Sequence, residues 1–251
     1  MNKTQPLYIK AKNKSLGELQ TMDIETLEWI EKESSFITET SDYAYPKLSL
    51  EDFKVVEALI PLQESFLSSI HYNSIHGLSH ILRVMFISVL LCKILKIDNY
   101  LPYLISASIH DIRRINDNQD SGHGLRAKDW FLSNKAKFLK IFTSLTNQDL
   151  LIIAETASWH ETDYNDIPEL ILSAYKTEID IFKACDALDR YRQPKEKWWT
   201  NPEFVELKEA LVLIPIARAF TIESEKLILD TQDIQESVIT IAKKLFYDKL
   251  Q

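Results

Sequence analysis

Glycine is scarce in this chain, with four among 251 residues. Sandwiches and barrels need many tight turns, and glycine supplies the backbone angles for most of them. The shortage argues against turn-rich β architectures and for helices joined by modest loops. Cysteine is scarcer still, with only Cys92 and Cys185. Both fall in apolar helical surroundings, so they read as buried free thiols and not as a disulfide framework or zinc knuckle. That pattern fits a reducing compartment and sets the expectation of a cytoplasmic protein. An excess of positive charge is also missing. Lysine and arginine total 29 against 37 acidic residues, a formal net charge of −8. Such a balance does not suit a protein that coats long nucleic acid by counterion release, although it leaves room for a local basic pocket. Long apolar runs are absent too. The most apolar stretch, residues 81–97, is interrupted by Arg83 and Lys93 and is short for a membrane span. The opening MNKTQPLYIKAKNKS has no apolar run, so neither a secretory signal nor a membrane partner is expected.

What the chain does have is helical periodicity. Apolar residues recur at steps of three and four, and no segment shows the sustained alternation of a strand. The expected fold class is all-α, with a partly helical N-terminal extension over residues 1–48 and one helical domain over residues 49–251. In the extension a short helix is expected over 23–32, capped by Thr21 or Asp23. The polar SSFITETSDYAYP that follows reads as a connector ending in proline. Ser49 caps the next helix, in which Pro61 either kinks the chain or starts a new helix running to residue 70. After the break HYNSIHG, helices are expected over 78–95 and 101–110. The stretch RINDNQDSGHG is a loop by composition. Further helices are expected over 125–136, 147–160, 169–190, 202–220 and 233–249, with loops at 163–168 and 193–201.

The chemistry lies in the histidines, which are His71, His76, His80, His110, His123 and His160. His80 opens a very apolar helix. His110 ends the apolar run LISASIH and is followed at once by Asp111, while His160 closes DLLIIAETASWH. Asp186 sits in the otherwise apolar IFKACDALDR. Burying an unpaired carboxylate costs several kcal/mol, and a bound cation removes that cost. Imidazole nitrogen and carboxylate oxygen suit Mn, Fe, Zn, Ni or Co. Adjacent His110 and Asp111 can serve different ions, and the two oxygens of Asp111 can bridge a pair. Any one of these histidines alone would be read as a hydrogen-bonded core residue; the ordered set carries the argument.

That set resembles the motifs of the HD superfamily. HGLSHILRV is similar to the first motif, with His80 as ligand, and SASIHDIRR to the name-giving motif, with His110 and Asp111. SGHG resembles the third motif and implies His123; SWHETD resembles the fourth and implies His160; ACDALDRYR resembles the last and implies Asp186. The likeness spans residues 76–192, and the first fifty and last forty residues lie outside it. It implies an HD-type helical domain and, through the extra His123 and His160, the binuclear ligand set. It further implies two divalent ions and a phosphohydrolase acting on a small phosphorylated molecule, such as a nucleotide. Asp111 and His110 would stand at the reacting centre. A di-iron oxygenase of the same superfamily shares the ligand order, and a non-catalytic nucleotide sensor is a third reading. Oligomeric state stays open, a homo-oligomer included.

A phosphate needs positive charge beyond the metals. Arg113 and Arg114 follow the His-Asp pair at the mouth of the expected site, and guanidinium forks match phosphate geometry. Both are candidates for catalysis and substrate contact, the alternative being ion pairs with Asp117 or Asp120. Lys128 and Arg190 are weaker candidates, as is Arg192. Arg83 is expected in an internal ion pair that supports the metal shell. Asp189 either orients a ligand or pairs with Arg190 or a neighbour. His76 caps or packs a helix start, or else donates a proton or binds phosphate. His71 is expected at the surface. Trp198 and Trp199 pack a loop onto the core or stack on a base.

Overall fold

In a computed structural model of the chain, which describes residues 5–37, 44–67 and 71–247, ten α-helices run in order among the described residues. They are α1 (Leu7–Lys12), α2 (Ile24–Glu33), α3 (Leu50–Phe66), α4 (Leu78–Ile94), α5 (Leu101–Ile109), α6 (His123–Ile141), α7 (Asn147–Trp159), α8 (Glu169–Leu188), α9 (Ile214–Thr231) and α10 (Ile234–Phe246). Short 3₁₀ turns link them, the largest group lying between α8 and α9. The fold is all-α. Among the described residues the β pairing is a single isolated bridge between Leu48 and Tyr247.

The organising element is α4. Every residue from Leu78 to Cys92 is buried, as expected of a helix that is apolar on all sides. It packs against α3, α5, α8, α9 and α10, while α7 packs against α5, α6 and α8. Phe53, Phe86, Phe220 and Phe246 chain their rings through this core at centroid spacings of 5.1–6.1 Å. Cys92 and Cys185 are both free and buried, and burial pushes the Cys92 thiol up to about 12. No helix among the described residues is long and apolar enough to cross a membrane.

Local signals account for most helix starts. Asp23 caps α2 by accepting from Thr26 N at 2.8 Å. Ser49 and Asp52 exchange side-chain and backbone bonds at the start of α3, and Thr146 and Asp149 form a reciprocal capping box on α7. Four expectations are corrected. Pro61 does not start a new helix, because α3 continues through it to Phe66; the expected end at residue 70 lies outside the described residues. The helix expected over 202–220 begins only at Ile214, where Pro215 occupies the first turn. Proline lacks the N–H an interior position would donate but is well suited to a helix start. The helix expected over 125–136 begins at His123, after a left-handed Gly122 with φ +88°, and runs on to Ile141. The end of α8 tightens at Asp189 into a 3₁₀ turn, Asp189–Arg192. Residue 249, the expected end of the last helix, also lies outside the described residues.

The N-terminal segment is bound into the rest of the molecule. Arg218 on α9 donates to Ser34 Oγ and Glu31 O at 2.7 and 2.8 Å. Residues 17–20 run along the loop after α5. Asp117 N donates to Glu18 O, and Ile75 N donates to Gln20 O. Gln20 N donates to Asp117 Oδ2 at 2.7 Å.

Candidate metal centre

Helix ends bring the expected ligands together. His80 lies in the first turn of α4, His110 caps the C-terminus of α5, and His123 opens α6. His160 caps the C-terminus of α7, and Asp186 stands in the last turn of α8. One local device recurs. His110 Nδ1 meets Ala107 O at 2.9 Å, His160 Nδ1 meets Ala157 O at 2.8 Å, and His123 Nδ1 meets Asp120 O at 2.7 Å. A carbonyl oxygen only accepts, so each Nδ1 carries a hydrogen, and each ring in its neutral form presents the lone pair of Nε2. His80 Nδ1 is held in the same way by Asp189 Oδ2 at 2.8 Å.

Two glycines allow the approach. A Cβ on Gly124 would lie 2.6 Å from the carbonyl oxygens of Ala157 and Ser158. The start of α6 therefore abuts the end of α7, which lets His123 meet His160. A Cβ on Gly77 would lie 2.3 Å from His71 O and 2.5 Å from Tyr72 O. The loop before α4 closes on itself there.

The four Nε2 atoms converge in two pairs. His80 and His110 are 3.0 Å apart at Nε2, and His123 and His160 are 2.9 Å apart. Asp111 lies between them. Its Oδ2 is 3.5 Å from His80 and 3.7 Å from His110. Its Oδ1 is 3.0 Å from His123 and 3.7 Å from His160. Asp186 Oδ1 closes the first pair, 3.3 Å from His80 and 3.9 Å from His110. The six expected ligands therefore form one cluster of two lobes, with one Asp111 oxygen turned to each. With every ring neutral, lone pairs would face lone pairs and carboxylates, which cannot satisfy one another. The donor set fits cations, and its His and Asp chemistry suits transition-metal ions.

Charge follows the same division. Burial alone would raise Asp111, but Arg114 and His110 outweigh it and hold the carboxyl well below the usual range. His80 and Arg192 do the same for Asp186. Burial pushes His110 down to about 3. Burial also opposes charge on His123, yet Asp111 and Glu161 outweigh it and push that imidazole up to about 10.

Behind His80 lies a buried ionic network. Arg83 Nε donates to Asp189 Oδ1 at 2.6 Å and Nη1 donates to Glu225 Oε1 at 2.6 Å, while Thr221 Oγ1 donates to Asp189 Oδ1 at 2.9 Å. Arg83 thus holds the internal ion pair expected of it. Asp189 both orients His80 and pairs with cations, which are Arg83 and, at 3.6 Å, Arg192 rather than Arg190. Behind His123 stands Glu161, a residue the sequence reading missed. Its Oε2 is 2.9 Å from His123 Nδ1, and its Oε1 accepts from Gly122 N and Gly124 N at 2.9 and 3.0 Å.

A cavity of about 1040 Å³ opens onto the centre, lined there by Asp111, Asp186, His123 and His160. Arg114, Arg190, Arg192 and Lys183 line it too. Arg114 is braced by the carbonyls of Asn116 and Asn118 at 3.2 and 2.8 Å and reaches Asp111 Oδ1 at 3.5 Å. Two expected contacts are corrected. Arg113 is exposed, away from the cavity lining, and its carbonyl accepts from Arg126. Lys128 points to α7, where Glu155 takes its ammonium at 2.7 Å, and it too is absent from the lining. One turn of α6 separates it from the loop that faces the centre. Asp120 pairs with Arg126 and not with Arg113 or Arg114.

His76 also lines the cavity. Its Nδ1 meets Asp117 Oδ1 at 3.0 Å, and burial pushes the ring down to about 4 despite that carboxylate. Gln20 lines the cavity from the N-terminal segment. Its Nε2 donates to Asp117 O and Asn118 Oδ1, and its Oε1 has no hydrogen-bond partner among the described residues. The tryptophans divide. Trp199 packs inward, donating to Gln193 O at 2.9 Å, whereas Trp198 lines the cavity. His71 is half-buried, not at the surface as expected.

No protein-family model, curated protein or solved structure matches this chain.

Proposed function

We propose that this protein is a metal-dependent phosphohydrolase of the HD type, which hydrolyses a phosphate ester bond of a small molecule, a nucleotide or a related compound. One observation carries the reading: Asp111 turns one oxygen to each of two imidazole pairs whose Nε2 atoms face inward. His80, His110, Asp186 and Asp111 Oδ2 would hold one divalent ion, and His123, His160 and Asp111 Oδ1 the other, each drawn from Mn, Fe, Ni, Co or Zn. Bound there, such ions polarise a phosphoryl oxygen and lower the pKa of a bound water.

The chain's own residues supply the rest. Arg114, placed beside Asp111, presents a guanidinium toward phosphate oxygens. Arg192 adds charge from the other side, with Nη2 3.3 Å from His80 Nε2. Asp117 accepts from His76 Nδ1 and fixes the ring, and His76 Nε2, at the cavity wall, would present a lone pair that accepts a hydrogen bond or a proton from a bound water or substrate hydroxyl. The two buried free thiols support a reducing, cytoplasmic setting.

The test is a metal analysis of the purified protein followed by a screen of the Mn-loaded form. The panel comprises nucleotides, cyclic dinucleotides and phosphomonoesters, with phosphate and product release as the readouts. Two ions per chain and turnover that Asp111→Ala abolishes are the expected results. Tightly held iron with substrate-dependent oxygen uptake would move the assignment to an oxygenase. A loaded protein inert to the whole panel would move it to a nucleotide sensor.

A further inference from the structure

We propose that Lys183 is an anion-binding residue of the cavity, whose ammonium takes a phosphate oxygen of the bound substrate. The inference rests on the phosphohydrolase reading and deepens it by naming a contact that the His and Asp motifs do not contain. Lys183 stands three residues before Asp186 on α8, so the two share nearly one helical face, about 4.5 Å apart along the axis. Arg190 follows a turn after Asp186, and all three line the cavity. The proposed metal ligand is therefore flanked by a cation on either side along the chain.

Two contacts fix the ammonium, and neither is a carboxylate. Lys183 Nζ donates to Thr162 O and lies 4.8 Å from the centroid of the Tyr164 ring. Tyr164 is itself fixed, its Oη donating to Asp180 Oδ1 at 2.5 Å. A carbonyl and a ring face occupy two directions of an ammonium that has three donors. Among the described residues Lys183 makes no ion pair. Neighbouring cations do, with Lys176 on Asp180 at 2.6 Å, Lys128 on Glu155 at 2.7 Å and Arg126 on Asp120 at 2.6 Å. The carboxylates of Asp186, Asp163, Asp180 and Glu161 lie close enough to act on the Lys183 ammonium, but none stands within ion-pair distance of it. The Thr162 carbonyl and the Tyr164 ring hold it in place, and a phosphate oxygen entering the cavity takes the N–H they leave open.

Lysine labelling tests this without requiring turnover. The full-length protein, metal-loaded and metal-stripped, is treated with pyridoxal 5′-phosphate, reduced with borohydride and mapped by mass spectrometry. Burial pushes the Lys183 amine down to about 8, which leaves it partly neutral and nucleophilic at mildly alkaline pH. Lys183 should label ahead of Lys176 and Lys195, and inorganic phosphate should suppress its labelling about tenfold while acetate at equal ionic strength does not. A charged hydrogen bond of that kind is worth about 1.5–3 kcal/mol, or tenfold and more. Labelling no faster than at Lys176, or no phosphate protection in either form, overturns the proposal even if the enzyme hydrolyses phosphate esters. Protection by acetate equal to that by phosphate overturns the phosphate assignment. With a substrate in hand, Lys183→Met should raise KM about tenfold at unchanged metal content, and Lys183→Arg should recover most of it. An unchanged KM in Lys183→Met, or an equal loss in Lys183→Arg, counts against a charge contact.

Discussion

The two lobes of the centre present the same ring atom to the same carboxylate but are built differently. His80 and His110 are wholly buried and are separated from the cavity by the Asp111 and Asp186 carboxylates that line it. His80 leans on a tertiary network in which Asp189, Arg83 and Glu225 come from a 3₁₀ turn, α4 and α9, while His110 is held by Ala107 O. His123 and His160 line the cavity themselves, and their support is local, with a carbonyl three residues back in each case and Glu161 from the adjoining turn. One lobe is a product of the whole fold, and the other of two helix ends meeting at Gly124. The contrast predicts that damage to the first should unfold the protein, and damage to the second should only empty it.

The largest effect is expected from Arg83→Met, which leaves buried Glu225 without its cation and Asp189 with only the more distant Arg192, 3.6 Å away. Removing one partner from a buried ion pair costs about 3–5 kcal/mol. Chemical denaturation should show a loss of that order, together with loss of metal from the lobe that Asp189 orients. A loss under about 1 kcal/mol would mean that the network contributes little and that the first lobe is no more tertiary than the second.

An intermediate effect is expected from pH in the metal-stripped protein, because His110 and His123 titrate in opposite senses. His110 in the fold is pushed down to about 3, against 6.5 when free. As pH falls below 6.5 the unfolded chain takes a proton that the folded chain refuses, so stability drops until about pH 3. His123 is pushed up to about 10. Its stabilising proton is fully bound below 6.5 and is lost as pH rises through 10, so stability drops on the alkaline side as well. Histidine NMR titration, with denaturation midpoints taken across the range, resolves the two limbs. Two histidines titrating together near 6.5 would abolish the distinction.

Much of this was legible in the sequence, and the missing parts have physical causes. Helix α4 could be read because every face is apolar, and Asp23, Ser49 and Asp233 announce helix starts through their side-chain caps. The start of α9 was missed because the apolar spacing before it mimics a helix, while Pro215 sets the boundary. His80, His110, His160 and Asp186 were readable because polar groups on apolar helices stand out, whereas His123, in a polar loop by composition, was indicated only by the resemblance of SGHG to a family motif. Arg113 and Arg114 show the limit of that method. Adjacent residues on a turn point apart, so only Arg114 reaches Asp111. Glu161 and Lys183 look in sequence like ordinary solvated charges on a turn and an amphipathic helix. Gln20 was unreadable in principle, since it meets Asp117 across 97 residues of chain.

The smallest stability effect, and the sharpest test of the contrast, is expected from Glu161→Gln. The substitution keeps the shape and an oxygen able to accept from Gly122 N and Gly124 N, and removes the negative charge from behind His123. Glu161 is held down at about 2 in the fold, with burial opposing and His123 outweighing it. Its side chain keeps 20% of its exposure, so solvent screens the pair and the loss of folding stability should stay below about 1 kcal/mol. Metal binding should suffer more, because an outer partner of a ligating histidine is worth about 10- to 100-fold in affinity. Under a limiting chelator the variant should fall from two ions per chain toward one, with the ion held by His80, His110 and Asp186 retained. Metal analysis alongside the denaturation midpoint measures both quantities on one sample. Equal loss of both ions would show that Asp111 couples the lobes so tightly that they fill and empty as a unit.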